Sequence, residues 1–119
     1  MVVELAVRPG QLDNFVELTR EMVEATAEEA GVLAYQRFVG DDGATVHAVE
    51  RYQSSAAAVA HLETFRERFA ERFSRLATRR RFTVYGTASA ELKSVLDGFG
   101  AIYLEPLADL AYWPPARAS

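Results

Sequence analysis

The chain has no cysteine. That excludes disulfides, thiolate metal sites and a cysteine nucleophile, and leaves packing alone to hold the fold, as is usual for a cytoplasmic protein. Positive charge is not in surplus: the formal net charge is -4. Phosphate binding normally needs a basic surface, so no nucleic-acid partner is expected. Only two histidines occur, His47 and His61, too few by themselves to suggest a metal site. No long hydrophobic run is present, and "MVVELAVRPG" opens directly as a strand without a basic leader. Neither a signal peptide nor a membrane partner is expected. A glycine-rich phosphate loop, a GxSxG elbow and a Walker lysine are also missing. What is there is a chain of 119 residues, half of them hydrophobic, enough for one domain over 1–119 with a real core.

"VVELAVR" is rich in β-branched residues and ends at Pro9-Gly10, which reads as a first strand. Leu12, Phe15, Val16, Thr19, Met22, Val23 and Thr26 then recur at helical spacing. This predicts a helix running to about Glu29 or Ala30, with Gly31 as its stop. "VLAYQRFVG" and "ATVHAVERYQ" read as two strands joined by a "DDG" hairpin turn. Ser54-Ser55 caps a second helix whose apolar stripe is Ala58, Leu62, Phe65, Phe69, Phe73 and Leu76. Its arginines lie mostly off that stripe and alternate with Glu67 and Glu71, the pattern of a solvated face. "RRFTVYG" predicts a fourth strand, and "SAELKSVLDGFG" a short helix capped by Ser89. "AIYLEPLADLAYW" predicts a short strand or packed arm, with Trp113 as a packing anchor or pocket lid and a frayed tail at 114–119. A core over 2–86 and an extension over 87–113 result.

The order β-α-β-β-α-β is the split βαβ, or ferredoxin-like, α+β arrangement. It predicts a four-stranded antiparallel sheet with both helices on one face. Neither side of the first or third strand is purely polar, so the second face needs a cover. The C-terminal arm can supply it, or a second copy, giving a symmetric homodimer with facing sheets.

His61 lies about 80° from the centre of the second helix's stripe, at the edge of the buried face. A histidine there can line a cleft and accept a proton near neutrality, or it can bond a backbone carbonyl or stand half-exposed. Glu50 and Tyr52 share one face of the third strand. Glu50 either orients His61 or pairs with Arg37 or Arg51. Tyr35 and Tyr52 either line a pocket or fill ordinary half-buried strand positions. His47 reads as a strand histidine or a subunit contact.

"RPGQLDNF" after the first strand, "EEAGVLAYQ" entering the second, and "VERYQSSAAAVAHLETF" from the third strand into the helix form a familiar series. The chain resembles the antibiotic biosynthesis monooxygenase (ABM) domain family over roughly residues 2–86. That resemblance implies a dimeric α+β barrel of the quinol monooxygenase kind. It also implies oxidation of a phenol, quinol or polyketide-like aromatic by O2 with no cofactor or metal. His61 becomes the catalytic base. Tyr35, Glu50 and Tyr52 orient substrate or base, and Leu62, Phe65 and Phe69 form apolar walls. Many relatives carry a second histidine five residues after the first. Here that place holds Arg66, which either steadies an anionic substrate or faces solvent. The haem-degrading branch needs an asparagine in the first strand and a tryptophan ahead of the helical histidine, and this chain has neither. The alternatives are a non-catalytic dimeric module binding a small ligand, or an isomerase or cyclase using the same pocket.

Overall fold

The computed structural model describes residues 1–108. Trp113 and the 114–119 tail lie outside the described residues. The elements are β1 (Val2–Val7), α1 (Leu12–Thr26), β2 (Val32–Val39), β3 (Thr45–Tyr52), α2 (Ser55–Arg68), α3 (Ala70–Leu76), β4 (Ala77–Tyr85), α4 (Ala90–Leu96) and β5 (Ile102–Leu104). A short 3-10 turn, Asp97–Phe99, follows α4. The sheet order is β2-β3-β1-β4-β5. β1 lies antiparallel between β3 and β4, and β2 is antiparallel to β3. This is the ferredoxin-like α+β fold.

Three expectations need correction. The sheet has five strands, because β5 adds parallel to the edge of β4. The 3-10 turn and Gly100, at φ 67°, reverse the chain and allow that return. The first helix stops at Thr26, short of Glu29. Residues 27–31 form a turn instead, with Glu29 N–H bonding the Thr26 carbonyl. The long second helix is two helices meeting at Phe69, whose φ is -127°. Phe65, Phe69 and Phe73 step by four residues, so each runs about 40° ahead of the one before round a straight helix. The break resets the phase and keeps both Phe69 and Phe73 buried.

Strand alternation decides which sheet face becomes core. Val3, Leu5 and Val7 are buried, as are Val46, Ala48 and Glu50 on β3 and Phe82 and Val84 on β4. Phe15, Leu18 and Met22 of α1, Ala58 and Val59 of α2, and Leu92 and Leu96 of α4 close over them. The opposite face has a charged row, where Glu4 lies opposite both His47 and Arg81, and Phe38 opposite His47. Beside it runs a largely apolar row, in which Val49, Val2, Thr83 and Ile102 stand opposite one another in turn.

Two local features position the site. Ser54 caps α2, its hydroxyl accepting from the Ala57 N–H at 3.1 Å. Gly31 presses on the first turn of α2: a Cβ at Gly31 would lie 2.4 Å from Ala57 Cβ. Only glycine fits that approach, and it brings the α1–β2 turn beside the helix that carries His61.

Candidate active site

His61 is buried, with its side chain 7 % exposed. Ala58, His61 and Phe65 recur at three and four residues, so the histidine belongs to the inward stripe of α2 and not to its margin. Its ring points at the sheet. The Tyr35 ring meets it edge-on at 5.2 Å, and the Tyr52 ring lies tilted at 5.5 Å.

Carboxylates flank the imidazole on both sides. Nδ1 lies 3.1 and 3.2 Å from the two oxygens of Glu29. A carboxylate only accepts, so Nδ1 carries a proton in this bond, and in the neutral ring Nε2 then keeps the lone pair. Nε2 is 3.8 Å from Glu50 Oε1, beyond hydrogen-bonding reach. Glu50 Oε1 instead accepts a short hydrogen bond from the Tyr52 hydroxyl. Its other oxygen accepts from Arg37 Nη2 at 2.8 Å. Of the two roles expected of it, Glu50 takes the ion pair with Arg37; it stands beside His61 without a hydrogen bond to it, and Glu29 holds the ring instead.

The pair is almost dry, with side chains 13 % and 8 % exposed for Arg37 and Glu50. The Arg37 guanidinium also covers the Tyr35 ring at 3.5 Å. Among the described residues, two buried side-chain polar atoms have no hydrogen-bond partner, Tyr35 Oη and Arg37 Nη1. The Tyr35 hydroxyl lies close enough to Thr26 to feel it, without a bond of ordinary geometry. Burial pushes the Tyr35 phenol up to about 12. Tyr52 is also pushed up, first by burial and then by the neighbouring Glu50 charge. Both remain neutral donors at physiological pH.

A cavity of about 50 Å³ lies between these groups and the helices. Tyr35, Glu50, His61, Leu62 and Phe65 line it, together with Arg37, Phe73, Arg79 and Phe99. Tyr52 stands behind Glu50 and reaches the cavity through that carboxylate. Arg66 is exposed and does not line the cavity. Phe69 is buried in the core, and Phe73 takes the cavity position because the helix breaks between them. A wider open groove of about 680 Å³ shares Glu50 with this cavity and is otherwise lined by Val49, Tyr52, Ser54, Tyr85, Leu92 and Leu104 among others. It holds no histidine, so chemistry and not volume singles out the smaller cavity.

Sequence reasoning did not find Glu29, Arg79 or Phe99 as site residues, and it read Arg37 only as an ion-pair partner. Arg37 was legible, since it alternates with Tyr35 on β2. Glu29 was hidden by the overlong helix. Among the described residues, no cluster of three metal-binding side chains occurs, and no helix is long and apolar enough to cross a membrane.

The sequence profile described as "Antibiotic biosynthesis monooxygenase" matches residues 1–65. The chain belongs to that family. Among solved structures, MupZ from Pseudomonas fluorescens is similar over 99 % of this chain and 95 % of its own, with a TM-score of 0.85 at 21 % identity. A structure named as an antibiotic biosynthesis monooxygenase is similar over 66 % of this chain and 86 % of its own, with a TM-score of 0.55 at 28 % identity. A conserved protein from Methanosarcina mazei Go1 is similar over 66 % of this chain and 84 % of its own, with a TM-score of 0.59 at 19 % identity. No curated protein matches significantly. The MupZ likeness extends past the profile match through α4 and β5, so the C-terminal elements are part of a shared fold.

Removing Arg37 strands the Glu50 charge in a dry site. Arg37→Leu should lower the unfolding free energy by about 3–5 kcal/mol in urea denaturation. Adding Glu50→Gln, which keeps an acceptor for Tyr52 but removes the charge, should recover most of the loss. Equal costs for the single and double variants would contradict this account.

Proposed function

We propose that the protein is a cofactor-independent monooxygenase that oxidises a phenolic, quinol or polyketide-like aromatic with O2. The family and the monooxygenase-named neighbour support the monooxygenase-like role. The observation that carries the reading is the buried His61, held through Nδ1 by Glu29 with Nε2 left as a base beside the cavity.

In this reading His61 Nε2 takes a proton from the substrate hydroxyl or from an acidic ring carbon. The positive charge gained by the ring lies between Glu29 and Glu50. The resonance-stabilised substrate anion gives one electron to O2, and the resulting radical pair joins as a hydroperoxide. Loss of water leaves a carbonyl. The balance is one CH2 (or ring CH with its hydroxyl proton) plus O2, giving C=O and one water. Leu62 and Phe65 exclude bulk water, and Tyr35 and Arg37 present their unpartnered donors to substrate oxygen.

The second reading, a non-catalytic ligand-binding module, is favoured by one observation. The cavity of about 50 Å³ is a third of the roughly 150 Å³ that accepts benzene in an engineered protein core. Turnover therefore requires lining groups at the surface, the half-buried Phe99 and the exposed Arg79, to move apart.

The open sheet face belongs to the same proposal. Phe38, Tyr85, Ile102 and Leu104 are each 40 % or more exposed. A second copy laid sheet to sheet would cover the apolar row and make a homodimer. Light scattering after size exclusion should give twice the chain mass of 13.2 kDa. A monomer at micromolar concentration would refute the pairing.

Oxygen uptake with a panel of quinols and anthrones tests the chemistry. His61→Ala should cut turnover by about 10²-fold or more. Glu29→Gln should cut it by roughly tenfold or more with KM little changed, because the ring loses the partner that sets its tautomer. Product formation without oxygen consumption would point to an isomerase or cyclase, and no conversion of any substrate to the binding module. A His61→Ala variant with undiminished turnover would take His61 out of the mechanism.

A further inference from the structure

Charge around the cavity does not balance. Arg37 is matched by Glu50 and His61 faces Glu29. Arg79 also lines the cavity, yet it has no ion-pair or hydrogen-bond partner among the described residues. Its guanidinium stacks over the Phe99 ring at 4.3 Å, and Phe99 in turn stacks on Phe82 at 6.0 Å and 12°. This aromatic ledge holds the cation in place at the edge of an apolar hollow. Burial lowers the Arg79 pKa, and no carboxylate among the described residues opposes the shift. Arg79 is exposed, so it marks the mouth, whereas the orphaned Arg37 Nη1 and Tyr35 Oη are deep inside.

A cation without a partner at the mouth, with unsatisfied donors inside and apolar walls between them, is a receptor for a ligand with an anionic end and an oxygen-bearing ring. We infer that the substrate class is an aromatic carboxylate: Arg79 grips the carboxylate at the entrance, and the ring oxygen meets Tyr35 Oη and Arg37 Nη1 within reach of His61. Guanidinium and carboxylate match in shape as well as charge, and an arginine already stacked on an aromatic ring loses little freedom when it forms that pair. The inference rests on the cavity being the reaction site. It gives Arg79 a specificity role and no part in proton transfer.

Calorimetric binding of para-hydroxybenzoate and its neutral isostere para-hydroxybenzamide tests this without turnover. Near neutral pH the wild-type protein should bind the acid about tenfold more tightly than the amide, about the strength of one charge-assisted pair. Arg79→Gln should erase that preference, bringing the ratio of the two affinities to about one. Added salt should weaken the acid alone. Equal affinity for the two probes, a preference that survives in Arg79→Gln, or no binding of either at millimolar concentration would overturn the inference. His61→Ala keeps the tests separate: it should retain the carboxylate preference. Loss of turnover therefore bears on the base, and loss of the preference bears on Arg79.

Discussion

The bond between His61 Nδ1 and the Glu29 carboxylate governs what the rest of the site can do. A buried imidazole with both nitrogens uncommitted has two tautomers and no fixed role. At 3.1 Å from a carboxylate it has one. In the neutral ring the proton then sits on the side away from Glu50, and the lone pair faces the shared interior. That bond depends in turn on backbone contacts far from any chemistry. Gly31 must lack a side chain for the α1–β2 turn to lie against Ala57, and Ser54 must cap α2 for Ala57 and His61 to stand where they do.

The second constraint is the cost of charge in a dry core. Burying Glu50 without partners would be prohibitive, because desolvation outweighs anything packing returns. Arg37 and Tyr52 each occupy one of its oxygens, and the Tyr35 ring supports Arg37 from beneath. A pair of this kind adds little net stability over an apolar core. Its presence in a protein of this size is better explained by the site it organises: a carboxylate held beside His61, and one arginine nitrogen left over.

Much of this was legible before any coordinates. Strand alternation put Glu50 and Tyr52 on one face, and the same rule applied to β2 adds Tyr35 and Arg37. Helical spacing put His61 near the buried stripe, and the β-α-β-β-α-β order supplied the sheet on which they meet. Two things were hidden, for physical reasons. Periodicity does not register where a helix stops when the following residues are good helix formers, and "AEEAG" kept the pattern running past Thr26. Glu29 was therefore left on a helix when it belongs to the turn. Nor does a stripe of phenylalanines at steps of four announce that it must break. The break at Phe69 exchanged that residue for Phe73 in the cavity wall and turned the following chain into β4 at Ala77, which carries Arg79 to the cavity. Local pattern locates residues on elements, and long-range packing decides where the elements end.

The most direct measurement is NMR of the imidazole nitrogens of His61 in the resting protein near neutral pH. The account predicts that the neutral form of the ring carries its proton on Nδ1 and leaves a bare, pyridine-like Nε2, with a shift toward mixed tautomers when Glu29 is replaced by glutamine. A ring protonated on Nε2 with a bare Nδ1, or one whose tautomer is indifferent to Glu29, would contradict it.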